Sequence, residues 1–324
     1  MKYINKVWIR YAALAIICIL LLTGCSNDKL IMEYASSELH KGIGSDENKI
    51  TGFADNLCVT TTDVIPEGMP VLETSAGLFG VDTREVIYAN RIHERMYPAS
   101  LTKVMTALVL LENYSGDFSD TLTASKNIYI KETGAQLCGF KEGDTVTLDQ
   151  ALRGLLMYSG NDAAVMVAEY VAGSVDEFVK MMNQKAIELG ATKTHFTNPH
   201  GLSDKEHYTT AYDLYLIFQE AIKYDKFRQI IHEPTYQFDY QGADGNKKSM
   251  NWKTTNLFLN EERTVPESVV LIGGKTGTTA AAGSCLITLS QNMQNEDFIC
   301  VVLKAKDKTS LYDEMSQLLM RIND

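Results

Sequence analysis

The sequence predicts an α+β fold, with an antiparallel sheet, helices on both of its faces and an all-helical subdomain. Three observations carry this. Residues 148–224 read as mostly helical. Residues 268–304 read as three strands, with a hairpin turn at Gln294-Asn295-Glu296. The C-terminal tail then places Leu311, Met315, Leu318, Leu319 and Ile322 on one helical stripe, which suits packing on a sheet. The chain has 324 residues, 45% of them hydrophobic, enough for a sizeable core. No internal repeat or low-complexity run interrupts it.

The N-terminus is a targeting segment. Lys2, Lys6 and Arg10 precede an apolar run from Tyr11 to Leu22, and Leu22-Thr23-Gly24-Cys25 follows. A charged start, a short apolar core and small residues before the cut are signal-peptide features. The run is too short for a comfortable membrane span. Leu22–Cys25 resembles the lipobox of a bacterial lipoprotein, which implies cleavage after residue 24 and lipid attachment at Cys25. Residues 25–70 are polar and irregular and read as a tether, with a strand expected around Cys58–Thr62. The domain of residues 71–324 opens with a strand, a turn at Asp82-Thr83-Arg84 and a strand through Val86–Ala89.

The next element begins at Pro98-Ala99-Ser100 and runs through an apolar stretch to Leu111. Proline before such a run marks a helix start. Ser100 and Lys103, at i and i+3, then share one face. The helix is apolar on nearly every side and should be buried. A buried lysine needs a partner or a task, and burial lowers its pKa. A neutral Lys103 can take the proton that a hydroxyl nucleophile must lose. The plain alternative is a lysine snorkelling from a helix start.

Ser159-Gly160-Asn161 lies between two apolar helical runs. Gly160 permits the break, Asn161 can cap the following helix, and Asp162 suits its first turn. Ser268 to Gly274 reads as a strand running into Lys275-Thr276-Gly277-Thr278. Glycines near a strand end allow another chain to approach closely, and a substrate can lie there as an added strand. Lys275 and Thr276 offer a cation and a hydroxyl to an anionic end group.

His195, His200 and His207 cluster in sequence but lack the helical i, i+4 pair of an H-E-x-x-H zinc site. No metal and no cofactor is expected. His200 and His207 are expected to fix a loop beside the site, and Asp213 either supports that loop or caps its own helix. Cys58, Cys138, Cys285 and Cys300 form no metal-binding spacing. Cys285 and Cys300 sit in apolar strand-like runs and read as buried free thiols. The net charge of −11, without a basic cluster, argues against a nucleic-acid partner.

Ser100-Leu101-Thr102-Lys103, Ser159-Gly160-Asn161 and Lys275-Thr276-Gly277 together match the S-x-x-K, S-x-N and K-T-G set of penicillin-binding proteins and serine β-lactamases. The longer boxes narrow the match. Pro98–Ala107, Ser159–Ala164 and Gly273–Gly277 resemble those of the D-alanyl-D-alanine carboxypeptidases among low-molecular-mass penicillin-binding proteins. So do Phe196–Leu202 and His207–Asp213. The resemblance runs from about Ala76 to the C-terminus. It implies a β-lactamase/transpeptidase-like fold with Ser100 as acylated nucleophile and Lys103 as general base. It also implies that Ser159 and Asn161 assist proton relay and substrate placement. Lys275 and Thr276, with Gly277 and Thr278 beside them, would bind the substrate's terminal carboxylate. The backbone amides of Ser100 and Thr278 would form the oxyanion hole. This chain departs from many relatives in the uncharged stretch after Thr279, and in Ser284 where they carry Arg.

The expected function is removal of the terminal D-alanine from peptidoglycan stem peptides ending in D-Ala-D-Ala, with β-lactam antibiotics as covalent inhibitors. The expected place is the extracytoplasmic face of the bacterial cell membrane, held by the lipid anchor. Endopeptidase or β-lactamase activity at the same site is an alternative, as is a surface-anchored binding lipoprotein with a dead site.

Overall fold

The computed structural model of the protein describes residues 54–323. The signal segment, Cys25 and most of the tether lie outside the described residues.

β1 (Ser75–Gly80) and β2 (Val86–Asn90) form an antiparallel hairpin around the expected turn. β7 (Val270–Thr279), β8 (Gly283–Gln291) and β9 (Asp297–Ala305) are the three strands expected near the C-terminus. The five join as one antiparallel sheet in the order β2-β1-β9-β8-β7, because β1 pairs with β9 from Ser75↔Leu303 to Gly80↔Phe298. Chain start and chain end therefore share the sheet, and β7 is left as an edge strand.

Helices cover both faces of this sheet. On one face lies the C-terminal helix, Lys308–Leu319. It buries Leu311, Met315, Leu318 and Leu319, with Ile322 just beyond, against Leu286, Cys300 and Val302. That is the stripe read from the sequence. The other face carries the larger core, which includes α1 (Thr102–Asn113). Its residues from Thr102 to Leu111 are all buried, Lys103 and Thr106 among them. α2 (Leu148–Arg153), α3 (Asn161–Ala172), α4 (Val175–Glu188), α5 (Ala211–Ala221) and α6 (Asp225–His232) complete the helical part. The C-terminal helix is α7.

A second antiparallel sheet, β3-β4-β5-β6, was not expected. It comprises Thr121–Thr123, Thr145–Thr147, Thr235–Gln241 and Lys247–Lys253. Phe238, Tyr240 and Trp252 turn one side of it into the core, where Tyr240 and Trp252 pack against Phe140 and Phe238 packs on Trp252.

No strand forms around Cys58–Thr62. Cys58 is fully buried instead, its N–H donating to the Tyr215 hydroxyl at 2.9 Å. Val64 exchanges two backbone hydrogen bonds with Ala89. The end of the segment expected as a tether is thus laid against β2 and α5. All four described cysteines are buried free thiols, as expected for Cys285 and Cys300.

Candidate active site

The three motifs meet at one cleft. Ser100 stands in a single 3-10 turn, Ala99–Leu101, directly before α1. The turn is entered with Ala99 in the left-handed region, φ 48°. Ser100 lines the cleft, while Lys103, one turn on, is fully buried beneath it. Lys103 Nζ lies 2.9 Å from Ser100 Oγ, 2.7 Å from Asn161 Oδ1 and 2.7 Å from the His200 carbonyl oxygen. A neutral amine has two N–H groups and one lone pair. The two carbonyl oxygens accept from it, and the Ser100 hydroxyl, which can accept from or donate to the amine, accommodates that form. Burial, and secondly the charge of Lys275, hold the Lys103 pKa well below its ordinary 10.5.

Asn161 does not cap α3, since its side chain is turned to Lys103. Nor does Gly160 supply the break before that helix. A π-turn, Gly154–Tyr158, ends with Ser159 in the left-handed region at φ 68°, and Gly160 is extended. Such turns and strained residues gather at functional sites. Gly160 is required for space: a Cβ there would lie 2.2 Å from Cys138 Sγ. Asp162 anchors the neighbouring loop, accepting from the N–H groups of Cys138 and Gly139 at 2.8 and 2.9 Å. That loop returns the contact, because the Gln136 carbonyl accepts from Asn161 N.

Lys275 enters from β7. Its Nζ is buried and donates to Ser159 Oγ at 2.9 Å and to the Thr276 carbonyl at 2.8 Å. Burial pulls its pKa to about 7. Ser159 Oγ thereby ties Lys275 to the segment whose Asn161 Oδ1 accepts from Lys103. Thr276 shares a 2.6 Å hydrogen bond with Thr255, a residue that no sequence signal marked. Gly277 packs against the nucleophile turn, where a Cβ would stand 3.0 Å from Ser100 N and 3.1 Å from Leu101 N. These are backbone atoms and cannot rotate aside. Gly277→Ala should therefore push β7 off the turn and lower the acylation rate by about a hundredfold. Stopped-flow acylation checks this. A near-parent rate would mean that the approach of β7 to Ser100 does not matter.

The loop of residues 194–207 closes the floor. Thr102 Oγ lies 2.8 Å from His207 Nε2, and His207 Nδ1 accepts from Thr197 N at 3.0 Å. Thr106 Oγ donates to the Pro199 carbonyl. Burial takes His207 to about 4, and burial with the charge of Lys103 takes His200 to about 3, so both are neutral hydrogen-bonding groups here. Gly201, at φ 90°, brings this loop onto the nucleophile turn, where a Cβ would meet the Ala99 carbonyl at 1.9 Å. Asp213 supports the loop, accepting from Lys193 N and Thr194 Oγ.

The resulting cleft, about 470 Å³, lies along the last turns of β7. Ser100, Ser159, Asn161, Thr276, Gly277 and Thr278 line it. Its size suits a short peptide or small ligand. β7 is the sheet's edge strand, so an extended chain can add alongside it.

The D-alanyl-D-alanine carboxypeptidase family model matches residues 69–307. The chain belongs to this family. It is 34% identical over 249 residues to D-alanyl-D-alanine carboxypeptidase DacF of Bacillus subtilis, covering 76% of this chain and 60% of that protein. Identity to DacB2 of Mycobacterium tuberculosis is 35% over 228 residues, covering 68% of this chain and 72% of that one. The chain thus spans about three fifths of the Bacillus relative's length. The crystal structure of the Streptomyces K15 DD-transpeptidase superposes with a TM-score of 0.71 at 27% identity, over 78% of this chain and 97% of that one. The β-lactamase/transpeptidase-like α+β fold is the one the family requires.

Proposed function

We propose that this chain is a serine-type carboxypeptidase that removes the terminal D-alanine from peptidoglycan stem peptides. The observation that carries the reading is Lys103 Nζ, buried between Ser100 Oγ, Asn161 Oδ1 and the His200 carbonyl.

The chemistry follows from that arrangement. Neutral Lys103 takes the Ser100 proton as Oγ attacks the penultimate D-alanine carbonyl. The backbone amides of Ser100 and Thr278 face the oxyanion that develops. The tetrahedral intermediate expels the terminal D-alanine, whose amine gains a proton from Ser159; Ser159 is replenished from Lys275, and Lys275 regains the proton that Lys103 took from Ser100, so the base is neutral again. An ester on Ser100 remains. Water, deprotonated by the same base, cleaves it and frees the shortened peptide. A β-lactam presents a strained amide to the same oxygen and leaves a stable acyl group on it.

The test is release of D-alanine from a pentapeptide ending in D-Ala-D-Ala. One D-alanine per peptide is expected. Cleavage confined to cross-linked dimers would make the protein an endopeptidase. Rapid turnover of β-lactams without D-alanine release would make it a β-lactamase, and no turnover of any of these would make it a binding lipoprotein.

The N-terminal sequence supports action at the extracytoplasmic face of the membrane, with Cys25 as the lipid-bearing first residue after removal of residues 1–24. Cys25→Ala should shift the protein from the membrane to the soluble fraction or leave it unprocessed. Mature protein that begins at an unmodified Met1 would refute this anchor.

A further inference from the structure

Lys308 lines the cleft, yet the chemistry above gives it no task. It opens α7 beside Leu311 and Tyr312, which line the same wall. Asp307, next to it, is engaged as the cap of α7 and accepts from Ser310 N at 2.8 Å. Among the described residues, none pairs with the Lys308 ammonium.

The other cations near the cleft are committed. Lys275 is buried and turned to Ser159 and its own strand. Lys103 is buried among three acceptor atoms. His200 borders the cleft but is neutral, its pKa lowered to about 3 by burial and Lys103. Lys304 donates to the Ala281 carbonyl. Ser284 is buried in β8 and bears no charge. Lys308 is therefore the accessible cation among the described residues of the cleft wall. The one carboxylate among the described lining residues, Glu132, is on the loop that also contributes Thr133 and Gln136. An anion entering the cleft is repelled from the loop side and drawn to the sheet side, where Thr255, Thr276 and Thr278 present hydroxyls.

We propose that Lys308, with the Thr276 and Thr278 hydroxyls, recognises the free α-carboxylate of the substrate and so restricts cleavage to chain ends. The assignment rests on the carboxypeptidase reading and makes that reading specific. Lys275 is then left to hold Ser159 and move protons, a role its lowered pKa suits better than that of a permanent counter-ion. Lys308 touches the substrate away from the scissile bond, so it governs selection of the acid rather than the acyl transfer itself.

The experiment compares two peptides in the full chain, one ending in D-Ala-D-Ala with a free carboxylate and one with that carboxylate as the primary amide. The parent should prefer the acid. Lys308→Met should lower kcat/KM for the acid by roughly tenfold or more, as for loss of a charged hydrogen bond. The acid-to-amide ratio should fall with it. Lys308→Arg should restore most of the preference. Acylation of Ser100 by a penicillin with a free or a methyl-esterified carboxylate gives the same comparison without turnover and should shift the same way. If the parent releases D-alanine but Lys308→Met keeps the parent ratio in both comparisons, the assignment falls and the carboxypeptidase reading stands. If the parent cleaves neither peptide, that reading falls and takes the assignment with it.

Discussion

Ser100→Ala should reduce D-alanine release to background, a loss of about 10,000-fold or more by analogy with other hydroxyl nucleophiles. It should also abolish the β-lactam adduct. Ser100 lies in a short turn at the cleft wall, and only one oxygen is removed, so folding should be little affected. The same protein should still bind the peptide, because Thr276, Thr278 and Lys308 are untouched. Equilibrium binding measured beside turnover separates these effects. Substantial D-alanine release by Ser100→Ala would mean that the nucleophile lies elsewhere.

The second large effect concerns the base. Lys103→Arg keeps a positive charge at the same place but cannot yield a neutral amine near neutral pH. Acylation should therefore disappear, although the charge is conserved. In the parent, acylation should rise with pH through a pKa well below 10.5 and level off above it, because burial and Lys275 disfavour the ammonium. The corresponding stability effect has the opposite origin from a salt bridge. The folded state binds fewer protons at Lys103 than the unfolded state does. Its burden is absent above the unfolded pKa, grows as pH falls, and is complete below the folded pKa. Lys103→Met removes that burden but leaves Asn161 Oδ1 and the His200 carbonyl without their donor, at about 1–3 kcal/mol each. Thermal stability should consequently change far less than activity does. A pH-independent acylation rate, or parent-like acylation by Lys103→Arg, would remove Lys103 from its role.

The residues that carry this chemistry were legible because each motif sits in a strong local context. Pro98 before a buried apolar run placed Ser100 and Lys103 on consecutive turns, and the apolar run of β7 led directly into Lys275. The stripe from Leu311 to Ile322 gave α7 its packing face for the same reason: period and burial agree. Other features left no comparable trace. Ser159 and Ala99 occupy left-handed conformations that their side chains do not favour, and tertiary packing imposes them. Gly160 and Asn161 were readable as a break and a cap, yet they serve as a space for Cys138 and an acceptor for Lys103. The second sheet does carry a weak signal, since Tyr236, Phe238 and Tyr240 alternate with polar residues along β5. Thr255 and Lys308 reach the cleft only through the folding of distant segments, which no spacing in the sequence reports.

The most direct measurement is the mass and position of the acyl group during turnover. The protein is mixed with a slowly deacylated D-Ala-D-Ala substrate or a β-lactam, quenched in acid, digested and mapped by mass spectrometry. A single adduct is expected on the peptide containing Ser100, equal to the substrate without its terminal D-alanine or to the opened β-lactam. An adduct on Ser159 or any other residue, or D-alanine release with no covalent species on Ser100, would contradict it.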